Sequence, residues 1–319
     1  MRFGTMVPQG WKHDLADIPN DKQWDHILET AQQIEADGWD SLWVYDHFHT
    51  HPKVTQESVF DAWVLMAAIA AVTSRVRIGQ MCTCVLYRPP ALLAKMAASI
   101  DAISKGRLDV GIGAGWSDKE FAAYGYDYPS NKVRLDMLNE AAQVLKTMWT
   151  TKEAHFEGEH YRVRGAITRP LPQQSPHPPL WIAGGGEKRT LRIVAEHGDM
   201  SNFGKSVPQF IHKSEVLASH CEAIGRDFGE IGRTVHLMSV VGRDQADVDA
   251  KLEVAARRRN ASAEEFAAEH LVGTVEQVSD TVGQYAAAGC AELILYFYDM
   301  GVHDSQELFA SEIAPQHRS

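Results

Sequence analysis

Eight short apolar runs punctuate the chain, each followed by a stretch with helical spacing, and this alternation leaves few folds open. The runs read as strands are Arg2–Val7, Ser41–Asp46, Val76–Thr83, Leu108–Ile112, Leu180–Ala183, Asp199–Phe203, Val235–Val241 and Leu293–Tyr298. Helices are predicted over Asp21–Ala36, Phe60–Val72, Pro90–Ile103 and Arg134–Trp149. More follow from Glu187, over Val207–Ile224, Ala246–Arg258 and Ser279–Ala288, and one closes the chain. Local chemistry supports these boundaries. Gly38 stands where a helix end wants a left-handed residue, and Pro89-Pro90 opens a helix where a missing N–H costs nothing. Thr274-Val275-Glu276-Gln277 has the spacing of a capping box. Eight such units make a (β/α)8 TIM barrel the economical α/β architecture, with a doubly wound open sheet as the alternative. The rhythm breaks once. His155–Arg164 reads as a hairpin turning at Glu157-Gly158-Glu159, and Pro170–Pro179 as a proline-rich return. The expected organisation is one domain over 1–319, with an insertion at about 151–178 before the fifth strand.

The net charge of −11 argues against nucleic acid or an anionic membrane as partner. Arg257-Arg258-Arg259, the densest basic run, sits among acidic residues in a helical segment and reads as a solvated face. No run approaches the ~20 apolar residues of a membrane span, and Met1–Gly4 leads into a strand rather than a signal peptide. Cys82, Cys84, Cys221 and Cys290 contain no C-x-x-C pair, so reduced thiols and a cytoplasmic location are expected.

In a parallel α/β barrel, ligands bind at the C-terminal ends of the strands. The second strand delivers Asp46 and His47 there side by side. The fourth ends in Gly113-Ala114-Gly115-Trp116, where two glycines beside a tryptophan suit a flat ring packed on backbone. Gly184-Gly185-Gly186 follows the fifth strand and opens the helix predicted from Glu187. Glycines let backbone N–H groups approach an anion, the helix dipole favours one, and Lys188 and Arg189 add charge, so this run reads as a phosphate site. It is not a dinucleotide fingerprint, because the G-x-G-x-x-G spacing is absent. Cys82 and Cys84 read as buried structural thiols rather than a metal pair. A rival class comes from His47, His49 and His51 with Asp299 at the end of the eighth strand: a metal-dependent TIM-barrel hydrolase.

Taken in order, Ser41–Phe48, Arg88–Lys95, Leu108–Trp116 with Glu120, and Pro178–Leu191 resemble the bacterial luciferase-like (β/α)8 superfamily. The resemblance is closest to its coenzyme F420-dependent oxidoreductase branch. It implies an isoalloxazine-type cofactor in the barrel mouth: coenzyme F420, with FMN as the alternative. Asp46 and His47 would stand beside the redox ring, Asp46 orienting His47 or bonding the ring, and His47 serving the proton transfer that accompanies hydride movement. A non-proline cis peptide at Met81–Cys82 would back the ring, with Cys84 nearby. Ala114 and Gly115 would line the ring pocket, while Gly184, Gly185, Gly186, Glu187 and Lys188 would hold the cofactor phosphate. One position departs from the pattern. Sugar-phosphate dehydrogenases of this branch carry Glu where this chain has Trp116, and an aromatic wall there implies a flatter, less charged substrate. The implied activity is hydride transfer between F420 and a small organic substrate, in a cytoplasmic homodimer. An FMN-dependent monooxygenase, or a cofactor-binding protein without catalysis, stands beside it.

Overall fold

The computed structural model describes residues 1–299 and 304–318. The elements run β1 (Arg2–Met6), α1 (Gln23–Ala36), β2 (Ser41–Val44), α2 (Ala62–Val72), β3 (Arg77–Gln80), β4 (Thr83–Cys84), α3 (Pro90–Ser104) and β5 (Leu108–Gly113). Then come α4 (Asp118–Ala123), α5 (Asn131–Thr150), β6 (Ala154–Glu157), β7 (Arg162–Ala166), β8 (Leu180–Ala183), α6 (Thr190–His197), β9 (Met200–Asn202) and α7 (Val207–Ile224). The chain finishes with β10 (Gly232–Gly242), α8 (Gln245–Arg259), α9 (Ala263–Glu269), β11 (Leu271–Thr274), α10 (Val275–Ala287), β12 (Glu292–Phe297), α11 (Ser305–Leu308) and α12 (Ala314–His317).

Parallel pairing passes from β12 through β1, β2, β3, β5, β8 and β9 to β10. Because β10 also pairs with β12, over Thr234–Ser239, the sheet closes on itself. That closure decides for the (β/α)8 barrel and against an open sheet. Apolar helix faces cover its outside: α1 buries Ile27, Ala31 and Ile34, one face at helical spacing. The interior is plugged. The Trp43 and Trp181 rings meet edge to face at 4.6 Å, their indole N–H groups donating to Ser41 Oγ (2.7 Å) and Asp109 Oδ1 (3.1 Å). Below them burial pushes the Glu292 carboxyl up to about 7 against the pull of Arg2. A filled core leaves the strand ends as the place for a ligand.

Several boundaries differ from expectation. The third strand is not continuous: β3 stops at Gln80, the Met81–Cys82 peptide is cis, and pairing resumes in β4 against β5. Helix α6 begins at Thr190, so a turn separates it from the glycine run. Helix α10 begins directly after the Thr274–Gln277 capping box. The longer β10 serves three partners in turn, β9, β12 and β11. The short α4, α9 and β11 were not foreseen, being too brief to show a period. Between α5 and β8, β6 and β7 pair antiparallel as a hairpin. Among the described residues no helix is long and apolar enough to cross a membrane.

Candidate active site

A cleft of about 910 Å³ opens at the C-terminal ends of the strands. Its walls bring together Asp46 and His47 after β2, Met81, Cys82 and Cys84 around the break between β3 and β4, and Ala114, Gly115 and Trp116 after β5. Gly184, Gly185, Gly186, Glu187 and Lys188 after β8 complete the wall. Every residue assigned by the resemblance to the cofactor, the proton transfer or the substrate wall therefore faces one cavity. The structure adds Tyr45, which stood in the Ser41–Phe48 segment without a role, and others that carried no motif: Trp11, Tyr87, Leu135, His236 and Met238.

His47 is held by three elements. Its Nδ1 lies 2.7 Å from Glu120 Oε2, its ring stacks on Trp11 at 4.2 Å and 8°, and the edge of Trp116 meets it at 5.4 Å. Glu120, on α4, is buried. Its carboxylate also accepts from the backbone N–H of Phe48 (2.7 Å) and His49 (3.0 Å) and from the Tyr87 hydroxyl (3.2 Å). Burial alone would raise the Glu120 pKa; the bonds from His47 and from those two N–H groups override it and hold the carboxyl at about 2. An ionised Glu120 fixes the proton of His47 on Nδ1, as the pairing of charge and donor requires. No described residue bonds Nε2, so the nitrogen left for chemistry is that one. Glu120 stood in the sequence pattern, four residues past the predicted strand-end turn, without a role. It does what was expected of Asp46.

Asp46 is occupied elsewhere. Both its oxygens accept from Arg88 Nη1 (2.9 and 2.8 Å), and Oδ2 also accepts from the Cys84 N–H at 3.2 Å. Arg88 Nη2 in turn reaches Asp61 (2.7 Å), the N-cap of α2. Burial pushes the Asp46 pKa up and the guanidinium opposes it. Asp46 thus ties the end of β2 to α2 and to the β4 backbone rather than to His47.

The sulfurs explain the glycines of the fourth strand end. A Cβ on Gly113 would lie 2.5 Å from Cys82 Sγ, and one on Gly115, where φ is +73°, would lie 2.5 Å from Cys84 Sγ. Burial pushes both thiols up to about 12, so neither is a thiolate at neutral pH. Across the cleft, Gly184 has φ +124° and donates its N–H to Asn202 O. The next N–H groups, of Gly185, Gly186, Glu187 and Lys188, have no acceptor among the described residues. Lys213 braces this loop from α7, bonding Gly185 O (2.6 Å) and Glu187 (3.2 Å).

The histidines and Asp299 do not converge. His51 stacks on Trp11 and meets the edge of Trp116, and Asp299 accepts from the Ser305 N–H. Among the described residues no three His, Cys, Asp or Glu side chains are placed to hold a metal ion.

A family model described as luciferase-like monooxygenase matches residues 1–292. The chain belongs to the luciferase-like monooxygenase family. Within it, this chain is 28% identical over 316 residues to an F420-dependent glucose-6-phosphate dehydrogenase of Kineococcus radiotolerans, covering 91% of this chain and 92% of that one. Its fold is similar to an F420-dependent secondary alcohol dehydrogenase in complex with an F420–acetone adduct (TM-score 0.81, 22% identity, 100% and 99% coverage). It is likewise similar to a type II Baeyer–Villiger monooxygenase of Pseudomonas putida in complex with FMN (TM-score 0.76, 18% identity, 100% and 99% coverage). In this luciferase-like chain the basic run Arg257-Arg258-Arg259 departs from expectation. Arg257 is exposed, but Arg258 turns in to Tyr298 O at 2.8 Å and the Nε of Arg259 is buried.

Proposed function

We propose that this luciferase-like protein is an oxidoreductase that transfers a hydride between coenzyme F420 and a small organic substrate. The observation that carries this reading is the placement, in one cleft, of a histidine pinned through Nδ1 and a loop of four N–H groups that find no acceptor among the described residues. Those N–H groups suit a phosphate, and Met81, Cys82, Ala114 and Gly115, side by side on the same cleft wall, offer a planar ring a surface to pack on. The residues present therefore fit a phosphorylated flat cofactor.

When bound, F420 supplies a deazaflavin ring that accepts or releases a hydride. The protein does the rest. Gly185, Gly186, Glu187 and Lys188 hold the phosphate through backbone N–H, and Met81, Cys82, Cys84, Ala114 and Gly115 wall the ring. Asp46, locked by Arg88, keeps the Cys84 backbone in place. His47 exchanges a proton at Nε2 with the substrate oxygen as its carbon gains or loses hydride, while Glu120 fixes the tautomer and steadies the imidazolium. Trp11 stacks on the face of that imidazole and Trp116 meets it edge-on, which fixes the ring plane.

Similarity to an FMN-bound monooxygenase supports a second reading, an FMN-dependent monooxygenase in the same cleft. Titrating the apoprotein with F420 and with FMN separates the two: binding of F420 in preference to FMN supports the first, and the opposite preference sinks it. His47→Ala should then retain F420 affinity while losing reduction of F420 by a panel of small alcohols. Unchanged turnover would remove His47 from the mechanism.

A further inference from the structure

The loop after β1 buries a cation, Lys12, that no carboxylate among the described residues contacts directly. Lys12 is 2% exposed, and no hydrogen bond or ion pair reaches it among the described residues. Its Nζ lies 3.8 Å from the Trp11 ring and 6.0 Å from the Tyr45 ring, both of them cleft walls. Two more polar groups nearby are buried and have no hydrogen-bond partner among the described residues: Arg259 Nε and the Tyr298 hydroxyl. Arg259 is near enough for its charge to add to burial in pushing Lys12 down to about 7, and the same charge acts on Tyr298 and His51. The buried carboxylate of this corner, Asp14, offsets Lys12 in part, but its oxygens already accept from Tyr296 OH (2.9 Å), Gln9 N (3.1 Å) and Gly10 N (2.5 Å). A contact with an indole face compensates a desolvated ammonium only in part.

We propose that this corner is a subsite for a carboxylate on the substrate, taken up by Lys12 with Arg259 and Tyr298 beside it. The inference rests on the redox reading of the cleft and names its substrate class. An incoming monoanion would give the ammonium the acceptor it lacks, in a charge-assisted bond shielded from water. The hollow of about 170 Å³ on the other side of Trp11 is lined by His47, His51 and Trp116, whose rings suit a flat unsaturated body, and also by Asp118, Lys119 and Glu120. His51 adds no charge there, since burial holds its pKa at about 4. The substrate is then flat and, as a monoanion, less charged than a sugar phosphate, in line with what Trp116 implied.

The test uses benzoate and its neutral isostere benzamide, titrated calorimetrically into the protein with and without F420. Benzoate should bind at least ~10-fold more tightly than benzamide. The preference should vanish in Lys12→Met and persist in Lys12→Arg, with F420 affinity unchanged in both. In the unmutated protein, the ε-methylene carbon resonance of Lys12 should move with benzoate and stay with benzamide. Equal affinities, an unmoved resonance, or a preference that survives Lys12→Met overturns the subsite. A protein that binds no F420 yet keeps the Lys12-dependent preference upholds the subsite and defeats the redox reading.

Discussion

Replacing Glu120 by glutamine tests the centre of the site with almost no change of shape. The carboxylate accepts on both oxygens: His47 and Tyr87 on Oε2, the N–H groups of Phe48 and His49 on Oε1. A glutamine has one acceptor oxygen and one donor nitrogen, so whichever way it turns, donors face donors on one side. Each buried donor left unmade costs about 1–3 kcal/mol. The carboxyl itself is depressed from 4.5 to about 2, equivalent to roughly 3 kcal/mol of native-state stability. Because the folded value is the lower one, that contribution is complete above pH ~4.5 and disappears as pH falls towards 2. Glu120→Gln should therefore lose roughly 2–4 kcal/mol in urea unfolding at pH 7. Its gap from the parent should narrow steadily between pH 4.5 and 2. Turnover should fall by about 10²-fold, in the range of a misplaced acid–base group, while F420 affinity stays within a few-fold. A gap constant across that pH range, or full turnover in the variant, would refute the reasoning.

Three more perturbations follow from the same geometry. Arg88→Met strands the buried Asp46 carboxylate and should cost roughly 3–5 kcal/mol at pH 7, less at pH 4 where Asp46 can accept a proton; equal losses at both pH values in urea unfolding would contradict the pairing. Gly185→Asp sets a Cβ 2.9 Å from Lys213 Cε and a negative charge among the acceptor-free N–H groups, so F420 affinity by fluorescence titration should drop at least ~10-fold. Trp116→Gly removes the edge contacts to His47 and His51. It should change the kcat/KM ratio among substrates by up to ~10-fold with little change in F420 binding; the reverse pattern would move Trp116 from the substrate side to the cofactor side.

What was legible in the chain was whatever a short stretch decides for itself. Strand β8 and the glycines after it lie within seven adjacent residues, and their order alone places flexible backbone at a strand end. The capping box at Thr274 was likewise readable, yet helix α10 was predicted four residues late because the periodicity of its first turn is weak. Glu120 and Arg88 both stood in recognised segments, but neither carried a visible role, since their partners are 73 and 42 residues away in the chain. Trp11 and Lys12 lie in an irregular loop whose composition suggests only a connection. Their burial against Tyr45 arises from the loop folding over the barrel mouth.

The sequence by itself determined the alternation of strands and helices and the set of residues delivered to the strand ends. Both follow from hydrophobic period and turn chemistry, which act over a few residues. Tertiary structure alone decided the charges: Glu120 rather than Asp46 orients His47, Arg88 neutralises Asp46, and Lys12 is buried without an ion pair among the described residues. The first two assignments depend on distances of about 3 Å between residues far apart in the chain. Burial then sets how strongly each charge is felt, and no local pattern encodes burial of that kind.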